Sequence, residues 1–476
     1  MPPYYGVPLL KYVSTRGQAP TLSFDDALLS GLARDGGLYV PEEWPVFSTG
    51  DISALKGLSY PETALQIIRP FTEDVIAEDD LATLVNESYS GFDDPAVAPM
   101  KQLGDGEWLM ELFHGPTLAF KDYAMQFLGR VFDHVLTKRG ERVTIVGATS
   151  GDTGSAAIEA CRGRDAIEIF ILHPEGRVSD VQRRQMTTVS DANVHNIAIK
   201  GTFDDCQNMV KAMFNDTEFR DRCKLSAVNS INWVRVMAQI VYYFHGACQL
   251  GAPENPVSFS VPTGNFGNVF AGYGAKRMGL NIEQLIIGSN SNDILSRFFE
   301  DGRMLTTGVH QTISPSMDIQ ISSNFERLLF ELYGRDGNIT KTMMNTLSNT
   351  GFFEIGQSQL KQALSLFSAQ HFCDDETLAI MTQVLSENKE LLDPHSAIGV
   401  AAGRAKRINN KTPLIALATA HPAKFPDAVK QASGQHPALP ESLSDLFERE
   451  EHFTVMDNDR IQVQDFVNNH IMDGAT

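Results

Sequence analysis

Two hydrophobic periodicities divide the chain. From residue 21 to about 95, apolar positions recur at helical spacing. FDDALLSGLARDGG carries Asp near its start and Gly after its end, as a short amphipathic helix does. SYPETALQIIRPF and DDLATLVNESYSGF repeat the pattern. The spacing predicts a helical N-terminal unit, taken as 1–98.

From about 108 onward, short apolar runs alternate with helical stretches. ERVTIVGATS reads as a strand entering a glycine turn, with SAAIEACRG as the helix behind it. AIEIFIL with SDVQRRQM, and ANVHNIAIKG with TFDDCQNMVKAMF, repeat the unit. PVSFSVPTGNFGN with VFAGYGAKRMG, EQLIIGSN with NDILSRFFEDG, and TPLIALATAHPAKF with PDAVKQAS continue it. This alternation predicts βαβ units, hence an α/β fold with parallel sheets covered by helices. The expected division is a smaller α/β unit over 99–250 and a larger one over 251–476, with a helix-rich insertion at about 305–395. VRVMAQIVYYFHGACQLG carries Arg, Gln and His and reads as a buried helix, not a membrane span.

Composition narrows the function. The chain has 476 residues, 42% of them hydrophobic, enough for large cores. A net charge of −20 argues against nucleic acid or an anionic membrane as partner. An anionic substrate then requires a local positive field set against the global one. Five cysteines, at 161, 206, 223, 248 and 373, form no CxxC pair. They predict neither a disulfide framework nor a metal site, and they suit a reducing cytoplasm. The start, MPPYYGVPLLKYVSTRG, lacks the basic region and apolar run of a signal peptide.

In open α/β sheets, ligands bind beyond the carboxyl ends of strands. Three such ends carry candidate chemistry. In VPTGNFGN, Gly264 and Gly267 allow close backbone approach, and the following helix offers free amides and a positive dipole end, suited to a phosphate. An ordinary strand-to-helix turn fits the same residues. GATSGDTGSAA adds Thr149, Ser150, Asp152 and Thr153 to a similar turn, a lining suited to a carboxylate, although Asp152 or Ser155 as a simple helix cap fits equally. Thr419, after LIALA, offers a hydroxyl able to bond a heteroaromatic nitrogen, or simply the backbone.

A fourth segment, HGPTLAFKDYAMQFLG, sets Lys121 beside Phe120, Tyr123, Met125 and Phe127. Apolar surroundings favour the neutral amine, and a neutral lysine forms Schiff bases with aldehydes such as pyridoxal phosphate. A snorkelling surface lysine is the plainer alternative. Together, one lysine, a phosphate-grade turn, a carboxylate-grade turn and a hydroxyl are what a pyridoxal phosphate enzyme acting on an amino acid requires.

HGPTLAFKDYAMQFLG, GATSGDTGSAA, VPTGNFGN, SPSMDIQISSNFERLL and LATAHPAKFP, in that order, resemble threonine synthases of the bacterial and fungal type. These belong to the fold type II pyridoxal phosphate enzymes, related to the tryptophan synthase β subunit. The resemblance runs from KYVSTRG nearly to the end; MPPYYGVPLL precedes the point where many relatives begin. It implies conversion of O-phospho-L-homoserine and water to L-threonine and phosphate, by a carbon–oxygen lyase without a metal. It implies that Lys121 forms the Schiff base, that Gly264, Asn265, Phe266, Gly267 and Asn268 hold the cofactor phosphate, and that Thr419 faces the pyridine nitrogen. Thr149, Ser150, Asp152 and Thr153 would hold the substrate carboxylate.

For the substrate phosphate, SAVNSINWVRVMAQ offers Asn229, Asn232 and Arg235, spaced three apart at a helix start. Helix capping by Asn229 and an Arg235–carboxylate pair is the alternative there. Ser226 and Lys424 are secondary candidates. The enzyme is expected to be a cytoplasmic monomer or homodimer. A threonine dehydratase, another pyridoxal phosphate lyase or a non-catalytic relative is the competing reading.

Overall fold

The computed structural model describes residues 10–149, 151–226 and 229–471. The predicted strand–helix alternation forms two sheets. The larger has six strands in the order Phe367–His371, Ile282–Ser289, Val257–Pro262, Leu414–Ala418, Glu107–Glu111 and Met100–Gly104. All neighbours are parallel except the last pair, a hairpin. The smaller has five parallel strands in the order Thr454–Asp457, Val194–Lys200, Ile167–Pro174, Val143–Ala148 and Leu225–Ser226. Strands such as Ile167–Pro174 and Val257–Pro262 are buried along their whole length, as parallel sheets covered on both faces require.

Sheet membership corrects the contiguous division of the chain. Met100–Gly104 and Glu107–Glu111, expected in the smaller unit, belong to the six-stranded sheet, and Thr454–Asp457 returns from the far end to edge the five-stranded one. The expected insertion over 305–395 is helix-rich, yet it contributes Phe367–His371 to the larger sheet.

The N-terminal region carries the predicted helices at Phe24–Ser30, Tyr60–Thr72 and Glu78–Tyr89. The second shows why the chain folds so. Ser59 and Glu62 form a capping box, proline stands in its first turn, and the face Tyr60, Ala64, Ile67, Ile68 and Phe71 is buried. That face packs on helix Trp233–Gln249, which is buried on almost every residue and also meets helices Lys121–Arg139 and Gly267–Arg277. This central helix connects the N-terminal layer to the helices that begin at Lys121 and Gly267.

Candidate active site

Two backbone hydrogen bonds place Lys121 at the strand end. The Phe120 amide donates to the Thr419 carbonyl at 2.9 Å and the His421 amide donates to the Leu118 carbonyl at 3.0 Å, which together make an antiparallel bridge between Ala119 and Ala420. Lys121 therefore opens its helix beside the end of strand Leu414–Ala418. Behind it, the Asp122 carboxylate accepts from the Thr117 amide at 2.8 Å and the Thr117 hydroxyl at 2.6 Å, fixing the entry to the helix.

The Lys121 ammonium is buried and lies 3.1 Å from Asp152 Oδ2. The same oxygen accepts from the Ser316 hydroxyl at 3.1 Å. Asp152 Oδ1 accepts from Gln182 Nε2 at 2.7 Å and pairs with Lys424 Nζ at 3.0 Å. Burial lowers the pKa of Lys121, Lys424 and Arg235 push it the same way, and Asp152 opposes them. Burial alone would raise the Asp152 carboxyl, but Lys121 and Lys424 outweigh it and hold that pKa well below the usual range. The setting of Lys121 is thus more charged than the aromatic neighbours suggested. Phe120 does lie under the ammonium at 5.3 Å, whereas the Tyr123 hydroxyl is spent on the Val97 carbonyl.

Asp152 is a correction. Its carboxylate is committed to two lysines, and an anion cannot hold another anion by its side chain. What this turn offers a carboxylate is the amide end of helix Asp152–Cys161. Thr149 Oγ1 accepts from the amides of Gly151 at 3.0 Å and Gly154 at 2.9 Å, which shapes the turn. Gly151 has φ of 143°, and a methyl group there would strike Gln182. The Thr153 hydroxyl is free of partners among the described residues, and Ser150 lies outside them.

The turn after Val257–Pro262 leads into the amide end of helix Gly267–Arg277 and forms a cradle of the kind an anion fits. Phe266, a non-glycine residue, takes the left-handed φ of 64°, a conformation costing about 1 kcal/mol. Its buried ring, 5.0 Å from Phe325, holds it there. Asn324 anchors the loop by donating to the carbonyls of Asn265 at 3.0 Å and Ser230 at 3.1 Å. A methyl group on Gly264 would come 3.0 Å from the Ser316 carbonyl oxygen. The cradle therefore touches the Ser316 segment, which touches Asp152, which touches Lys121.

Of the buried donors left without partners among the described residues, two suit an anion. Asn268 Oδ1 accepts from the hydroxyls of Tyr242 at 2.6 Å and Tyr243 at 2.9 Å, with Nδ2 on the other side. That Nδ2 is buried and unpaired. Arg235 is 4% exposed, its Nε and Nη1 are unpaired, and among the described residues it has no carboxylate partner. Burial brings its pKa down to about 10. Buried donors of this kind are costly unless a ligand satisfies them. Donors, cradle glycines, a reactive amine and the unpartnered Thr419 hydroxyl match the phosphate, aldehyde and ring nitrogen of pyridoxal phosphate.

The companions expected for Arg235 fare differently. The helix begins at Trp233, so only Arg235 lies on it. Asn232 is its N-cap, accepting from the Val234 amide at 3.0 Å and donating to the Leu28 carbonyl at 2.9 Å. Its oxygen and one N–H are thus spent on the fold, which leaves a single N–H for a ligand. Asn229 Oδ1 accepts from the Ile231 amide at 3.2 Å, leaving its NH2 available. Ser226 lies in the short strand Leu225–Ser226.

Comparison with known proteins agrees with this geometry. The family model for the threonine synthase N terminus matches residues 11–89, that for pyridoxal-phosphate dependent enzymes 95–348, and that for the threonine synthase C-terminal region 396–467. A threonine synthase of Pseudomonas aeruginosa is 55% identical over 462 residues, covering 97% of this chain and 98% of its own. The chain belongs to the threonine synthase family. A crystal structure titled as PLP-bound threonine synthase from Brucella melitensis superposes with a TM-score of 0.96 at 58% identity, covering 97% of this chain and 99% of that one. The yeast threonine synthase structure gives 0.92 at 39% identity, covering 97% and 98%. The architecture is thus that of the pyridoxal-phosphate dependent threonine synthases.

Among the described residues no helix is long and apolar enough to cross a membrane, and no His, Cys, Asp and Glu cluster is arranged for a metal. Sequence reading missed Gln182 and Ser316 as partners of Asp152. Ser316 stood inside the quoted SPSMD motif, whereas nothing in SDVQRRQM marked Gln182.

Proposed function

We propose that this chain converts O-phospho-L-homoserine and water to L-threonine and phosphate, with pyridoxal phosphate held at Lys121. The observation that carries the reading is a buried lysine amine together with two unsatisfied buried donors, Asn268 Nδ2 at the start of helix Gly267–Arg277 and the Arg235 guanidinium, whose charge acts on Lys121. An amino-acid substrate bearing its own phosphate, on a cofactor bearing another, needs two such donors.

Asn265 and Asn268, with the amides of 264–268, would hold the cofactor phosphate, and the Thr419 hydroxyl would serve the ring nitrogen. When bound, the cofactor supplies an aldehyde for amine attachment and a ring that withdraws electrons from the substrate carbons. The amides at the start of helix Asp152–Cys161, with Thr149 and Thr153, orient the substrate carboxylate. Arg235 grips the substrate phosphate with the bidentate fork suited to it, and Asn229 assists. Lys121 Nζ, already biased towards its neutral form, removes the proton at Cα. A proton then leaves Cβ and phosphate departs from Cγ. Water adds its hydroxyl at Cβ, and protons return at Cγ and Cα. The departing phosphate gains negative charge as the Cγ–O bond breaks, and the Arg235 guanidinium already bonded to it stabilises that charge.

Five free cysteines and the negative surface suit a cytoplasmic enzyme working on a small molecule without nucleic acid or membrane, as monomer or homodimer. The test is to supply purified protein with pyridoxal phosphate and O-phospho-L-homoserine and measure phosphate and threonine together. Equal yields of both support the reading. Release of 2-oxobutyrate from threonine, with phosphohomoserine untouched, contradicts it in favour of a dehydratase.

A further inference from the structure

Lys424 is fully buried in the turn Pro422–Lys424, beyond the strand that ends at Ala418. A buried ammonium needs an acceptor for each of its three N–H groups. Here it has them: the Thr117 carbonyl at 2.5 Å, Gln185 Oε1 at 3.0 Å and Asp152 Oδ1 at 3.0 Å. Lys424 is therefore saturated, cannot reach a ligand without losing a bond, and is no second nucleophile. The question is why the fold buries a second cation beside Lys121.

We infer that Lys424 is a positioning residue that sets the proton affinity of Lys121 through the carboxylate the two amines share. Without Lys424, Asp152 and Lys121 would form a simple neutral pair, and such a pair keeps the amine protonated. A protonated amine neither attacks an aldehyde nor accepts a proton from Cα. With Lys424 on Oδ1, the field of one carboxylate is divided between two ammoniums, and the second repels the first. Gln182 on Oδ1 and Ser316 on Oδ2 fix the rotation of the carboxylate, so the sharing is geometric and not a passing contact. Electrostatically, the charged groups acting on Lys121 are Asp152, Lys424 and Arg235. Asp122 beside it turns its carboxylate to Thr117, and burial brings the His421 pKa down to about 4, leaving it uncharged at neutral pH.

The inference rests on Lys121 as the cofactor anchor. The full-length chain, stripped of cofactor, is mixed with pyridoxal phosphate at a series of pH values, and the growth rate of the visible Schiff-base band is followed. The rate reports the neutral fraction of the Lys121 amine. Lys424→Met keeps the volume and removes the charge. It is expected to move the pH midpoint of the rate upward by about one unit, and to slow the reaction near neutral pH about tenfold. Lys424→Arg retains the charge and leaves the midpoint in place. Asp152→Asn moves it downward, which supplies an independent test should Lys424→Met fail to fold. A purely structural strut would lower thermal stability in these variants with the midpoint unmoved; unchanged midpoints in folded Lys424→Met or Asp152→Asn overturn the inference. Absence of any band in the wild type would instead overturn the anchoring role of Lys121.

Discussion

Replacing Asn268 by Asp isolates one hydrogen bond. The wild-type side chain gives Oδ1 to Tyr242 and Tyr243 and leaves Nδ2 as a buried donor without a partner. Aspartate keeps an acceptor for both tyrosines, so the packing beneath the cradle survives. It exchanges the free donor for an oxygen bearing negative charge. Loss of a hydrogen bond to a charged group costs about 1.5–3 kcal/mol. At about 1.4 kcal/mol per factor of ten, that alone weakens binding roughly 10- to 100-fold. Repulsion between carboxylate and phosphate adds to the loss. Titrating the chain with pyridoxal phosphate and following the visible band gives the dissociation constant. Pyridoxal, which lacks the phosphate, serves as the control and should bind the variant and the wild type within about threefold of each other. If Asn268→Asp weakens both compounds equally, or neither, the assignment of Nδ2 to the phosphate is wrong.

Three further outcomes follow from the structure. A methyl group on Gly129 would lie 2.1 Å from the Ala160 carbonyl, so Gly129→Ala must push helix Lys121–Arg139 off helix Asp152–Cys161. It should cost about 1–3 kcal/mol in denaturant unfolding and weaken the Schiff-base band by loosening Lys121 from Asp152. Arg235→Met removes a buried charge that has no partner in the free protein, so it should fold at least as stably as the wild type while losing nearly all phosphohomoserine turnover; calorimetry and the phosphate assay measure the two effects. Glu451 accepts from Arg183 at 2.8 Å and from Thr187 at 2.7 Å, and Arg183 brings its pKa down to about 2 from an ordinary 4.5. Its stabilisation is therefore complete above pH 4.5 and fades as pH falls towards 2, so the stability gap between wild type and Glu451→Gln should close over that interval in acid titrations.

The helices and buried strands were legible because their signals are local. The Ser59 capping box and the apolar runs that become Ile167–Pro174 and Val257–Pro262 lie within a few residues of themselves. The sheet partition was not, because Thr454–Asp457 and Phe367–His371 are short and acquire their identity from distant partners. The cradle was visible as glycines beside a helix start, but the left-handed Phe266 was not, since its packing against Phe325 comes from far along the chain. The structural bonds of Asn232 and Asp152 were hidden for one reason. A polar side chain at a helix start can face a ligand or complete the fold, and only Leu28, Lys121 and Lys424, all remote in sequence, decide which. Arg235 was the reverse case, where the absence of a carboxylate partner became visible only in three dimensions.

Two buried lysines share one carboxylate, and the account assigns the cofactor to only one of them. Lys424 has three acceptors and is fully buried; Lys121 is held by Asp152 alone and keeps slight exposure. Reducing the cofactor-loaded protein with borohydride, digesting it and locating the pyridoxyl group by mass spectrometry reads the difference directly. The account predicts the label on the peptide containing Lys121 and none on Lys424. A label on Lys424, or one scattered over surface lysines, would contradict it.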